Sequence, residues 1–184
     1  MSNLNPSSDQ LTACIRQDRR AQRLLYEQHY GWAFNLCLRY ASNRSEAEEM
    51  VNDGFLRVFK GLPSYREESP FIPWMRRVIV NTAINYLRKK KPFTQAFDQG
   101  NEPSVSPAGV AQLQYEDVLR TIQLLPPAYR AVFNLYEIEG YRHREIAKLL
   151  NISESSSRSN LQRAKSILKK HFQSTNLPLN CRAS

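Results

Sequence analysis

Residues 140–172 read GYRHREIAKLLNISESSSRSNLQRAKSILKKHF, and this stretch decides how the rest of the chain is understood. Ile146, Ala147, Leu149 and Leu150 recur at helical spacing and give a first helix one apolar face. Asn151 follows where that helix should stop, and asparagine tolerates left-handed backbone angles. Ser153 is suited to cap the next helix. On that second helix Leu161, Ala164 and Leu168 form an apolar stripe, with Ser157 just ahead of them. The opposite side carries Ser155, Ser159, Gln162 and Ser166, flanked by Arg158, Arg163, Lys169 and Lys170, and no acid occurs after Glu154. Two helices, a tight turn and a cationic second helix suit a helix-turn-helix that enters the major groove of DNA. The same pattern also fits a helical hairpin with a solvated basic face, so other segments must decide between them.

The 184 residues suffice for one ordinary domain or two small ones, and their formal charge of +9 points to nucleic acid or an anionic surface. The charge is clustered. Arg76, Arg77, Arg88, Lys89, Lys90 and Lys91 form one acid-free block, and the segment after Glu154 forms another. The acids gather elsewhere, at Glu46, Glu48, Glu49 and Asp53. No apolar run is long enough to cross a bilayer, so no membrane insertion is expected, and MSNLNPSSDQ lacks the layout of a secretion signal. Cys14, Cys37 and Cys181 have no metal-ligand spacing, and Cys37 reads as a small core residue. A soluble, cytoplasmic protein is expected. His29, His143 and His171 show no metal spacing either, and no phosphate-binding loop or nucleophile motif occurs. Neither a cofactor nor an enzymatic activity is expected.

Strand signals are nearly absent, which makes the fold class all-α. A short helix is predicted after Asp9 and a longer one over 19–41, interrupted by Ser42-Asn43-Arg44. Ser45 and Glu48 predict a capping box for a third helix, ending at Gly61 as its C-terminal cap. A fourth begins between Pro70 and Pro73 and runs to the basic block before Pro92. Residues 93–112, with Gly100, Pro103 and Pro107, read as a flexible linker. Helices at 113–125 and 128–138 then lead into the helix-turn-helix. The expected organisation is a helical domain at 10–92, the linker, a second helical domain at 113–172 and a tail at 173–184. A linker of that length spans at most roughly 65 Å, enough for two domains to grip DNA sites more than one helical turn apart.

Two further segments bear on function. In the third helix Ala47, Met50, Val51, Gly54, Phe55 and Val58 form a core stripe, while Glu49, Asn52, Asp53 and Leu56 lie on the far side. That side is either a solvated acidic face or, given its leucine, a docking face for a basic partner. In the fourth region Tyr65, Phe71, Trp74 and Tyr86 alternate with cations. They fit a core, and they also fit single-stranded nucleic acid, where bases stack and phosphates pair. Asn81 offers both a donor and an acceptor to a base edge.

Together, AEEMVNDGFLRVF, FIPWMRRVIVNTAINYLRKKK and LPPAYRAVFNLYEIEGYRHREIAKLLNISESSSRSNLQRAK resemble, in order and spacing, segments of the sigma-70 family. The resemblance covers about residues 10–172 and is to the extracytoplasmic-function type, which keeps two of the family's domains. It implies a bacterial RNA polymerase sigma factor that binds core polymerase, recognises −35 and −10 promoter elements and promotes melting. The implied partners are the β′ clamp helices and β flap of core RNA polymerase, promoter DNA as duplex and melted strand, and an anti-sigma factor. Glu49, Asn52, Asp53 and Leu56 match the polymerase-binding face. The 61–70 loop, with Asn81 behind it, matches the part that captures flipped −10 bases. Ser155, Arg158, Ser159, Gln162 and Arg163 fall on the −35 recognition helix. Arg88 and Lys89, Lys90 and Lys91 are expected to hold phosphates. Departures from the family pattern carry expectations of their own: Gly54 should weaken its helix, Pro73 should delay the start of the fourth, and Ser157, where valine is usual, should loosen the recognition helix. An ordinary regulator of duplex DNA, a nucleic-acid enzyme and an interaction scaffold are the competing readings.

Overall fold

A computed structural model of the chain describes residues 5–66, 69–90, 93 and 115–174, and these are all-α, without a strand. The chain divides into two compact units, the first ending at Lys90. All but the first residue of the linker read at 93–112, most of the tail read at 173–184, and Lys91 lie outside the described residues. Phe93 is buried, and Gln173 and Ser174 continue the last helix.

The first unit holds α1 (Ser8–Ile15), α2 (Arg19–Leu38), α3 (Arg44–Gly61) and α4 (Phe71–Lys90). Each start has a chemical reason. Ser7 Oγ accepts the Gln10 N–H at 3.2 Å, and Asp18 accepts those of Arg20 and Ala21 at 2.8 and 2.9 Å. The cap of α3 differs from the sequence reading. Asn43, not Ser45, accepts the first N–H, from Glu46 at 2.9 Å, and the Glu46 carboxylate accepts the Ser42 N–H at 2.9 Å. Both Asn43/Glu46 and Ser45/Glu48 satisfy the capping pattern, and the register that buries Glu46 prevails. Glu48 instead pairs with Arg44 on the surface.

Gly61 is not a left-handed cap either. Its φ of −83° is helical, and the chain passes into a 3₁₀ turn at Leu62–Ser64. A Cβ at Gly61 would lie 3.2 Å from Trp74 Cζ2, so the glycine serves the approach of an aromatic ring. Gly54 is similar: a Cβ there would lie 3.3 Å from Ile79 Cγ1, where α3 meets α4. The intrinsic cost of that glycine, up to about 1 kcal/mol, is set against close helix packing. Pro73 does not delay α4, which begins at Phe71. A proline in the first turn lacks only an N–H that has no intrahelical partner. Leu25, Met50, Phe55, Met75, Ile79 and Ile84 fill the core, and Cys37 and the predicted α3 stripe are buried as well. Burial pushes the Cys37 thiol up to about 12.

The second unit holds α5 (Tyr115–Gln123), α6 (Pro127–Phe133), α7 (His143–Leu150) and α8 (Glu154–Ser174). Pro127 takes the first position of α6, where its fixed φ suits the helix. α6 widens into a π-helical turn at Asn134–Ile138, and Gly140 (φ 75°) ends it. Asn151 has φ 55° and ψ 50°, the left-handed stop predicted for it. Ser153 Oγ then accepts the Ser156 N–H at 3.0 Å and starts α8. Leu135, Ile146, Leu150 and Leu161 are buried, and Tyr129, Phe133, Ile167 and Phe172 pack on Leu125, Ala164 and Leu168.

Candidate interaction surfaces

On α8 the helical period sends Ser157, Asn160, Leu161, Ala164 and Leu168 inward. Ser155, Arg158, Ser159, Gln162, Arg163, Lys165, Ser166, Lys169 and Lys170 are left outside. All five residues predicted to read DNA from this helix are therefore exposed. Two are held in place. Arg158 pairs with Glu154 one turn back, and Arg163 Nη1 donates to the Tyr129 hydroxyl at 3.1 Å. The Tyr129 link spans 34 residues, and no local pattern signals it.

Ser157 has a polar partner that sequence reasoning missed. It is fully buried, and its Oγ lies 2.9 Å from His143 Nδ1 at the start of α7. The His143 ring stacks on Tyr136 with centroids 4.5 Å apart. Thus α7 and α8 are tied by a hydrogen bond where an aliphatic residue would supply only packing. Burial lowers the His143 pKa, and Arg158 and Lys165 lower it further against an opposing effect of Glu154. Unfolded chains then bind more protons than folded ones as pH falls below the ordinary histidine value of about 6.5. The contribution of His143 to stability is complete above that value and declines as pH falls toward the depressed folded value. The urea midpoint of the chain should drop from pH 7.5 to 5.5, and His143→Gln should shrink that drop. An undiminished drop in the variant would assign it to other groups.

On α3 the far side predicted from sequence is indeed outward. Glu49, Asn52 and Asp53 are exposed, and Leu56 is 67% exposed, the most open large apolar side chain among the described residues. Glu49 Oε2 accepts the Tyr86 hydroxyl at 2.8 Å, and Asn52 Oδ1 accepts that of Tyr26 at 3.0 Å. The Glu49 carboxylate, together with burial, pushes the Tyr86 phenol up to about 12. Glu46 does not share this acidic face. It is buried and paired with Lys90.

At the start of α4, Tyr65, Phe71 and Trp74 form an aromatic cluster, with Tyr65 and Trp74 centroids 4.9 Å apart. Phe71 also meets the buried His29 edge-on. Tyr65 donates to the Ser69 carbonyl, which ties the part of the 61–70 loop that is described. Asn81 is partly exposed, yet its Oδ1 is buried without a hydrogen-bond partner. Arg88 and Lys89 are exposed at the far end of α4.

The first unit thus presents an acidic, leucine-bearing helix, and the second a helix-turn-helix with a basic outer face, the form of a DNA-binding protein. Family models agree on both units: Sigma-70 region 2 matches residues 25–93, and Sigma-70, region 4 matches residues 115–168. The chain is 28% identical over 172 residues to the RNA polymerase sigma-H factor of Pseudomonas aeruginosa, covering 86% of this chain and 89% of that one. It is 26% identical over 186 residues to the ECF RNA polymerase sigma-E factor of Escherichia coli, covering 90% and 97%. Among solved structures, the sigma factor RpoE of Bartonella quintana, in complex with the anti-sigma factor NepR, shares the fold. That match has a TM-score of 0.51 at 17% identity, covering 82% of this chain and 96% of that one. The chain belongs to the sigma-70 family, as an extracytoplasmic-function sigma factor of transcription initiation. No helix among the described residues is long and apolar enough to cross a membrane.

Proposed function

We propose that the two units divide promoter recognition between them, in a cytoplasmic protein without catalytic activity of its own. The unit of α1–α4 docks on the β′ clamp helices of core polymerase through Glu49, Asn52, Asp53 and Leu56. It reads the melted −10 strand through Asn81 and the aromatic cluster around Trp74, with Arg88 and Lys89 on phosphates. The unit of α5–α8 reads the −35 duplex through Ser155, Arg158, Ser159, Gln162 and Arg163. The observation that carries this reading is the outer face of α8, where short polar side chains and arginines share one side. Asn81 adds support as a partly exposed residue of α4 whose amide carries both a donor and an acceptor. The β flap is the further polymerase surface in this reading, and 93–112 is the tether. An anti-sigma factor is proposed as its regulator, since the Bartonella neighbour is held by one.

An ordinary regulator of duplex DNA would need no polymerase-facing helix. The two readings separate in a mobility-shift assay with a promoter fragment. Added core polymerase should supershift the complex and make the chain select −35 and −10 sequences together. Binding to promoter duplex at full affinity without core, with no supershift, would overturn the proposal.

A further inference from the structure

The faces assigned above to α3 and α4 are joined by a ladder of polar contacts. One rung pairs Glu46, in the first turn of α3, with Lys90, the last residue of α4. The next joins Glu49 Oε2 to the Tyr86 hydroxyl at 2.8 Å. Residues 46 and 49 are about one turn apart on α3, and residues 86 and 90 about one turn apart on α4, so the rungs follow one another along the helix pair.

The first rung has an unusual setting. The Glu46 side chain is 6% exposed while that of Lys90 is 60% exposed. Glu46 Oε2 already accepts the Ser42 N–H, and Oε1 faces Lys90 Nζ, so both oxygens are occupied. A carboxylate withdrawn from water is costly unless it is paired and hydrogen-bonded. Burial alone would raise the Glu46 pKa, yet Lys90 and Ser42 outweigh it and hold the carboxyl below its usual range. Helix polarity favours the same arrangement, with an acid in the first turn of α3 and a cation in the last turn of α4. A lysine so placed has one of its three N–H donors and much of its charge committed to Glu46.

We propose that Lys90 is a positioning residue rather than a phosphate ligand: paired with Glu46, it fixes the cationic end of α4 on the start of α3. Docking of α3 on polymerase thereby sets where Arg88 and Lys89 meet the DNA backbone. The inference rests on the reading of α3 and α4 given above. It reverses the usual electrostatic expectation for one substitution. Glu46→Gln makes the chain more positive, and long-range attraction alone would tighten DNA binding. Loss of the clasp weakens it instead.

The test is the salt dependence of promoter binding by holoenzyme assembled from core polymerase and the full chain. Lys89→Gln should flatten the slope of log affinity against log salt by about one. Lys90→Gln should weaken binding at every salt concentration while keeping the wild-type slope. Glu46→Gln should weaken binding similarly, the double variant should be no worse than the weaker single one, and Lys90→Arg should restore affinity. A slope flattened by Lys90→Gln as much as by Lys89→Gln, with Glu46→Gln neutral or tighter, overturns the proposal and leaves the DNA-facing reading of α4 standing. Wild-type binding by Lys90→Gln overturns it as well. If Arg88→Gln and Lys89→Gln both keep the full slope, the DNA-facing reading itself has failed, and the proposal falls with it.

Discussion

A chain carrying Asp53→Lys and Leu56→Ala should lose its binding to core RNA polymerase while keeping its helical circular dichroism. Both side chains point outward from α3, and the core contacts of that turn come from Gly54, Phe55 and Val58. Substitutions at such positions usually change stability by no more than about 0.5 kcal/mol. Their effect on docking is of another order. Burying a leucine against a partner contributes about 1.5–3 kcal/mol, and reversing the charge of Asp53 sets a cation against the basic surface that an acidic face fits. Truncating a centrally buried anchor commonly costs more than 2 kcal/mol by itself, so the pair should remove measurable binding. Fluorescence anisotropy of the labelled chain titrated with core measures it. Unchanged affinity, with a normal spectrum, would take α3 out of the interface. Glu49→Ala is the informative control, because Glu49 also accepts the Tyr86 hydroxyl. Its loss should disturb the α3–α4 ladder as well as docking.

The second large effect is expected on α8. Arg158 and Gln162 are one helical turn apart and both exposed, so they can address neighbouring base pairs. Each lost base contact costs about 1–3 kcal/mol. With roughly additive losses, Arg158→Ala with Gln162→Ala should lower affinity for the preferred −35 element by about 2–6 kcal/mol. The loss should be selective. Against a promoter randomised at −35 the double variant should bind nearly as the parent does, because Arg163, Lys169 and Lys170 still supply charge. Competition between the two promoters, measured by footprinting at fixed salt, separates the cases. An equal loss on both would make Arg158 and Gln162 phosphate contacts.

Sequence alone settled the features that depend on one helix at a time. The stripe of α3, the left-handed stop at Asn151, the cap at Ser153 and the outer face of α8 all follow from period and local backbone preference. Each residue's outcome there is fixed by neighbours within a turn or two. The capping register of α3 was legible only as two candidates, because Asn43/Glu46 and Ser45/Glu48 satisfy the same local chemistry. Tertiary structure chose between them by burying Glu46 under Lys90, 44 residues away. The same holds for Gly61, which is a glycine for Trp74 and not for its φ, and for Gly54, which meets Ile79. Ser157 looked like a weak point in the seat of α8 until the fold supplied His143 as its partner. Lys90 is one of four cations in a row, and the run carries no mark of which one meets Glu46. A pattern along a helix tells which way a side chain points, and only packing between helices tells what it meets there.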